Sequence, residues 1–415
     1  MTNCINQPKM PSERLVTIDI IRGVALLGIL IMNIQSFSMV FSAYSNPSSF
    51  GDINGINFTI YYFSHLFADQ KFMTIFSLLF GTGIVLMADN IIKKQGDATK
   101  IHYKRMAILA LVGLAHAYLL WYGDILFAYA ISGMIAYSAR KKSPKFLIIL
   151  GVSLIALCSL VMYAAGISLP YWEATEIQEV QAFWAPSAEA IKQDILANQA
   201  SWLGQMEIRH QMAASMQGNL PFYLPRVIGL MFIGMAFYKL NFFGDRFTNR
   251  SLLLSGIIAL TIGLALIIKG NANNFAANWQ LSTMFVGSQY NYWGSLTVAY
   301  AYIAFLVVFC RTNVFGRVKA MFANVGKMAL TNYLSHTLIC GFIFYGWGLG
   351  LYGTVERREQ ILVVLAIWVF QLWFSSYWMK HFRFGPFEWL WRSMTYGRLQ
   401  PLRKNQEQLA LTESN

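Results

Sequence analysis

The sequence predicts an all-α fold, a polytopic bundle of transmembrane helices, and three observations predict it. Of 415 residues, 56% are hydrophobic and only 12% charged, against about 25% charged in an average soluble domain. Apolar runs long enough to span a membrane recur along the chain, a hydrocarbon core of about 30 Å taking roughly 20 residues as a helix. These runs are continuous, as in LLLSGIIALTIGLALII, which excludes the dyad alternation of a β-barrel. The same composition excludes a disordered chain. The net charge of +13 does not indicate nucleic acid, because the basic residues fall in short scattered groups rather than along one face. No metal site is expected, since Cys4, Cys158, Cys310 and Cys340 lie far apart without a CxxC pair.

About ten spans are expected, near 15–39, 72–92, 106–121, 125–139, 146–166, 222–240, 251–269, 284–310, 328–348 and 360–379. The first apolar run exceeds a signal-peptide core and lacks a clean cleavage site, so it reads as a retained helix. The third and fourth are short, separated by Gly123-Asp124, and read as a tight hairpin. Between the spans, 24 Lys and Arg fall on one side and 7 on the other, with Arg22 inside the first span. By the positive-inside rule both termini are cytoplasmic. The net charge is thus mostly a topology signal.

Four segments follow: a membrane part over 1–166 with spans one to five, an outer helical cap over 167–221, a second membrane part over 222–404 with spans six to ten, and a flexible tail over 405–415. The cap has helix-forming composition. A second outer segment, 41–71, opens turn-rich and continues amphipathic. GPFEWLWRSMTYGRLQPLRK, with Glu388 and Arg392 at i,i+4, reads as an interfacial helix on an anionic surface. GWGLGLYG permits close packing or a turn.

Ionisable and amide residues inside spans are the functional candidates, because each costs several kcal/mol unless paired or hydrated. Asp19 and Arg22 are three apart and close enough to pair; the pair either snorkels to the headgroups or fixes an anionic substrate. His116 lies about 16 Å into its span, as a structural histidine or as a general base working near its own pKa. Asp124 follows eight residues later, too far to touch on a continuous helix, so a contact requires the helix to break at Gly123. His336 is a second base candidate, with Asn332 four residues earlier on the same face. Asn33 sits two-thirds along the first span, where an Asn more often bonds a neighbouring helix. Lys71 reads most simply as an interfacial anchor, and His65 as an exposed residue of the amphipathic stretch. Asp19, Arg22, Asn33, Lys71, Arg105, Asn332 and His336 form the candidate substrate-binding set, with His116 and Asp124 as the candidate catalytic pair.

RLVTIDIIRGVALLGILIMNI, KFMTIFSLLFGTG and GLAHAYLLWYGDILFAYAISG resemble the YeiB family of bacterial inner-membrane proteins. VGKMALTNYLSHTLIC, FYGWGLGLYG and FRFGPFEWLWRSMTYGRLQP resemble that family's C-terminal domain of unknown function 418. The resemblance covers nearly the whole chain and implies about ten transmembrane helices in a bacterial inner membrane. His116, Gly123 and Asp124 fall on the family motif, whereas His65 does not. The family is more distantly similar to membrane acyltransferases, including the acyltransferase-three group, through the D-x-x-R-G start of the first helix, Asp19 to Gly23. Where that group would end the helix with a histidine, this chain has Asn33.

The resemblance implies a transmembrane acyltransferase that carries an acyl group from cytoplasmic acyl-CoA, its co-substrate, to an acceptor at the outer face. Arg22 and Arg105 would meet phosphates, and His116 with Asp124 would activate the acceptor. A small-molecule or lipid transporter is the alternative, with the same polar residues lining a path. A lipid-binding membrane protein without turnover is a third reading. Membrane lipids, an acyl donor and an acceptor are the expected partners, nucleic acid is not, and the sequence is compatible with self-association.

Overall fold

The computed structural model of the protein describes residues 11–404, so Cys4 and the 405–415 tail lie outside the described residues. The described chain is helical and contains no strand. Its first half comprises α1 (Pro11–Ser38), α2 (Ser42–Ser45), α3 (Gly55–Phe67), α4 (Lys71–Lys93), α5 (Ala98–Leu119), α6 (Leu126–Tyr137) and α7 (Pro144–Ser168). Next come α8 (Ala174–Trp184), α9 (Ala188–Asn198) and α10 (Met206–Gly218). The second half is α11 (Leu220–Lys239), α12 (Asn249–Ala276), α13 (Ser288–Arg311), α14 (Gly316–Lys327), α15 (Ala329–Phe344), α16 (Arg357–His381) and α17 (Pro386–Tyr396).

Each of the ten apolar runs falls on a helix. Seven stretches are long and apolar enough to cross a membrane, at Val16–Ser38, Gly55–Lys93, Pro144–Tyr171, Leu220–Lys239, Asn249–Ala276, Thr283–Arg311 and Arg357–His381. The helices α6 and α15 are apolar but shorter. The helix α5 begins well before its expected run, at Ala98, because the Asp97 side chain caps it by accepting from the Lys100 N–H. That first half carries Lys100, Lys104 and Arg105, which lowers its apolarity. Residues 120–125 join α5 to α6, a longer connection than the expected tight hairpin.

The helix α1 is the interior element: 72% of its most apolar stretch is buried, against 22% for those of α7, α12 and α16. Those three present Leu157, Ile257 and Val369 outward, as helices facing lipid do. Backbone contact at two glycines lets α1 cross α14. A Cβ on Gly23 would sit 2.0 Å from the Phe322 carbonyl oxygen, and one on Gly326 would sit 1.9 Å from that of Asp19. The glycine of the D-x-x-R-G start is therefore required by packing.

Over the end of the bundle away from α17, indole and guanidinium donors fasten α8 to α10 onto the helix ends. Trp184 Nε1 donates to the Trp279 carbonyl at 2.7 Å and Trp202 Nε1 to that of Leu119 at 2.8 Å. Arg209 Nε donates to the Tyr118 carbonyl at 3.0 Å. Tyr352 Oη donates to Asp194 at 2.7 Å, and burial pushes the Asp194 carboxyl up while this bond pulls it down.

Because backbone atoms oppose any added carbon at the α1–α14 crossing, Gly326→Ala is expected to destabilise the protein by about 1–3 kcal/mol through overpacking. Gly83→Ala, where nothing lies within 4 Å of the added Cβ, is expected to be neutral. Thermal unfolding of both variants in one detergent checks this; equal midpoints would remove the crossing constraint.

Candidate functional site

A cavity of about 700 Å³ lies inside the bundle, walled mainly by α1, α4, α5, α6, α11 and α17. Its wall on α1 runs from Arg22 to Ser36, about 21 Å at 1.5 Å per residue. One end carries Arg22, Arg105, Lys327 and Arg392; the middle is apolar, with Leu26, Phe80 and Leu230; the other end carries Asn33, Asp124, Tyr44, Gln70 and Arg226. Lining residues are exposed at both ends, Lys327 and Arg392 at the first and Ser45 at the second.

At the basic end, Arg22 pairs with Asp19 at 2.8 Å, as their spacing predicts. The Arg105 guanidinium lies 4.1 Å from the Trp391 ring centre, and Trp391 Nε1 donates to the Arg105 carbonyl at 2.9 Å. Arg392 lies over Phe384 at 4.9 Å. It does not pair with Glu388, which instead caps α15. Glu388 Oε1 accepts from the Leu330 and Thr331 N–H groups at 2.6 and 3.1 Å, and Oε2 from the Thr331 hydroxyl at 2.5 Å. Burial pushes the Glu388 carboxyl up, and the bonds from Thr331 and Leu330 pull it down. Arg105, Lys327 and Arg392 thus have no carboxylate partner among the described residues.

At the other end the helix does break. The helix α5 stops at Leu119, with the Leu120 and Trp121 N–H groups both on the His116 carbonyl, and the chain turns back. That brings His116 Nδ1 to 2.8 Å from Asp124 Oδ2, while Nε2 meets the Thr337 hydroxyl of α15 at 2.9 Å. Asp124 Oδ1 accepts from the Phe127 N–H at 2.9 Å and so starts α6. Asp124 reaches the cavity; His116 is buried behind it and is not on the wall. Asn33 is on the wall, and its side chain makes no hydrogen bond to another described residue.

Lys71, Asn332 and His336 do not line the cavity. Lys71 is fully buried, not an interfacial anchor, because Nζ donates to Asn291 Oδ1 and to the His65 carbonyl, both at 2.7 Å. His65 is not an exposed residue either: its side chain is 14% exposed and its Nε2 lies 3.5 Å from Asp69. Asn332 donates to Ser375 at 2.9 Å, and His336 Nε2 meets Gln371 Oε1 at 2.9 Å, so both tie α15 to α16. Sequence reasoning missed Arg226, which the loop count assigned to the outer side. It sits within α11 on the cavity wall, hydrogen-bonded to Gln70 and Ser295 and 4.0 Å from the Tyr292 ring centre. Its position inside the 222–240 run was the available signal. No group of three metal-ligating side chains occurs among the described residues.

A family model described as "Protein of unknown function (DUF418)" matches residues 237–398, which include Lys327, Glu388 and Arg392. YeiB of Escherichia coli (strain K12) is 31% identical over 401 residues, covering 92% of this chain and 96% of that protein. YxaH of Bacillus subtilis (strain 168) is 31% identical over 416 residues, covering 96% of this chain and 98% of that protein. The 39.9 kDa protein in the amylase 3′ region of Bacillus acidopullulyticus is 26% identical over 393 residues, covering 94% and 96%. No solved structure matches the chain.

Asp124 and Asn33 share the cavity wall but differ in what else they hold. Asp124→Ala strips the α6 cap and leaves His116 Nδ1 unpaired, an expected cost of about 1–3 kcal/mol. Asn33→Ala breaks no bond within the protein and is expected to stay within about 0.5 kcal/mol of the parent. Unfolding midpoints of the two purified variants decide; an Asn33→Ala loss as large as that of Asp124→Ala would show that Asn33 is structural.

Proposed function

The chain belongs to the YeiB family, and from that premise we propose that it is a multi-pass acyltransferase of the bacterial inner membrane, taking acyl groups from cytoplasmic acyl-CoA to an acceptor at the outer side. Ten spans with both termini cytoplasmic put α17 and the basic end of the cavity inside the cell, and α8 to α10 outside. The observation that carries the proposal is one cavity joining a cluster of unpaired cations to Asn33 and Asp124 across an apolar middle.

Arg105, Lys327 and Arg392 receive the CoA phosphates, with Trp391 beside them, and the acyl-pantetheine arm follows the apolar wall. The acceptor hydroxyl or amine attacks the thioester carbonyl and gives its proton to Asp124. The carbon–sulfur bond breaks, and the leaving CoA thiolate takes that proton from Asp124, which regenerates the carboxylate. A carboxylate has about four lone-pair sites, so Asp124 retains capacity beyond the Phe127 and His116 bonds. His116 is a positioning residue: it holds the carboxylate from behind. The free Asn33 amide is the donor on the wall for the charge that develops on the carbonyl oxygen.

Transport of an anionic amphiphile is the second reading. It is favoured by lining residues being exposed at both ends of the cavity and by Asp124 and His116 already being hydrogen-bonded within the protein.

Calorimetric titration of the purified protein with palmitoyl-CoA is expected to show binding that Arg105→Gln with Arg392→Gln weakens at least tenfold. Asp124→Asn should keep that binding and lose acceptor-independent thioester hydrolysis by about 10²–10⁴-fold. His116→Gln should lower kcat while leaving affinity unchanged. No binding of any acyl-CoA would leave the transport reading. A cysteine at Glu189 should react with an impermeant thiol reagent in spheroplasts; labelling at Lys142→Cys instead would invert the orientation.

A further inference from the structure

The cation at the outer end of the cavity lacks a counter-ion. Arg226 is on the wall, yet no carboxylate among the described residues lies within 4.0 Å of it. Its bonds to Gln70 and Ser295 use two of the five N–H groups of a guanidinium. The other charges nearby are matched to each other. Asp69 accepts from Asn291 Nδ2 at 2.6 Å and from Tyr44 Oη at 3.3 Å, and Asn291 Oδ1 in turn accepts from Lys71 Nζ at 2.7 Å. Asp69 and Lys71 are both buried and bridged by Asn291; Asp69 acts on Arg226 only from beyond ion-pair distance, so Arg226 has no direct counter-ion.

Gln70, which brings its amide oxygen to Arg226, has φ +63°. A residue other than glycine is disfavoured in that left-handed region, where its Cβ crowds the following carbonyl. Such strain persists where the surroundings hold it and clusters at ligand clamps. Together these groups form a preset arginine fork, backed by the Tyr292 ring, facing a low-dielectric cavity where an unpaired charge is costly. Its complement is an oxyanion able to take two parallel N–H bonds.

We propose that Arg226 forms a subsite for a carboxylate or phosphate group, and that the acyl acceptor carries this group. Naming the anion as part of the acceptor rests on the acyl-transfer reading. Tyr223, one turn before Arg226, lines the same cavity as Asp124, so an acceptor anchored on Arg226 shares the chamber with the proposed proton acceptor. An uncharged sugar or glycerol fills the same space without meeting the fork.

Two sources can deliver this chemistry, a lipid headgroup entering from the bilayer or a small anion entering from water. Titrations at low ionic strength in neutral detergent, read by unfolding midpoint and calorimetry, separate them with dioleoylphosphatidylglycerol against dioleoylphosphatidylcholine, and glycerol 3-phosphate against glycerol. One anionic probe is expected to bind, at least tenfold more weakly to Arg226→Gln and several-fold more weakly to Arg226→Lys, which keeps the charge and loses the fork. The Arg105→Gln with Arg392→Gln variant, in which acyl-CoA binding is weakened at least tenfold, should bind this probe as the parent does. Equal binding of each anionic probe and its neutral partner overturns the subsite, as does parent-like binding by both Arg226 variants. Anion binding through Arg226 in a protein that binds no acyl-CoA keeps the subsite and overturns the acceptor role.

Discussion

Inside a membrane a polar group must find its partner within the protein, since no water is there to supply one. Several buried polar residues obey that constraint in a recognisable form: each fastens one helix to another. Lys71 joins the start of α4 to α13 through Asn291. His116 joins α5 to α15 through Thr337 and to the start of α6 through Asp124. Asn332 and His336 join α15 to α16 through Ser375 and Gln371. On the cavity wall stand Asn33, whose side chain has no partner among the described residues, Arg226, with no carboxylate within 4.0 Å, and the cations of the basic end; other buried polar atoms without a partner, such as those of Asn271 and His336 Nδ1, lie away from it.

The same constraint explains how far the sequence could be read. Apolar length and continuity identify helices whatever their neighbours, so each of the ten expected runs lands on one. The Asp19–Arg22 pair is local, three residues apart, and spacing alone predicts it. Lys71 and His65 misled because their partners, Asn291 and Asp69, belong to the tertiary structure: a lysine at the start of a span looks like an anchor until another helix offers an amide. Arg226 illustrates the converse. Counting charges by loop is sound statistics for orientation, but it absorbs the single arginine that lies within the helix and faces inward. The His116–Asp124 contact was conditional on a break near Gly123, and only the turn over residues 120–125 supplies it.

Gly23 shows packing and chemistry sharing one short motif. Its hydrogen side chain lets the α1 backbone meet α14 directly, and that contact places Arg22 at the same end of the cavity as Lys327. A larger residue would separate the helices and with them the two cations. The D-x-x-R-G start thus does not divide into a structural glycine and a functional arginine; the glycine sets where the arginine can act.

Glu388 completes the logic of the basic end. The chain breaks between α14 and α15, and a helix start so exposed would be an anion site in its own right, with free N–H groups and a favourable dipole. Glu388 occupies the Leu330 and Thr331 N–H groups from α17, so the backbone there has little left for a ligand. The cations left at that end are side chains, Arg105, Lys327 and Arg392, of which Lys327 and Arg392 are exposed, and under the proposed function these would meet the anion. Side chains can move with the ligand as a fixed helix terminus cannot. The two ends of the cavity are then unlike in kind: an open cluster of long cations at one, suited to an extended polyphosphate, and a preset single arginine at the other, suited to one compact oxyanion. Under the proposed acyl transfer, that asymmetry would suit two different molecules meeting in one chamber.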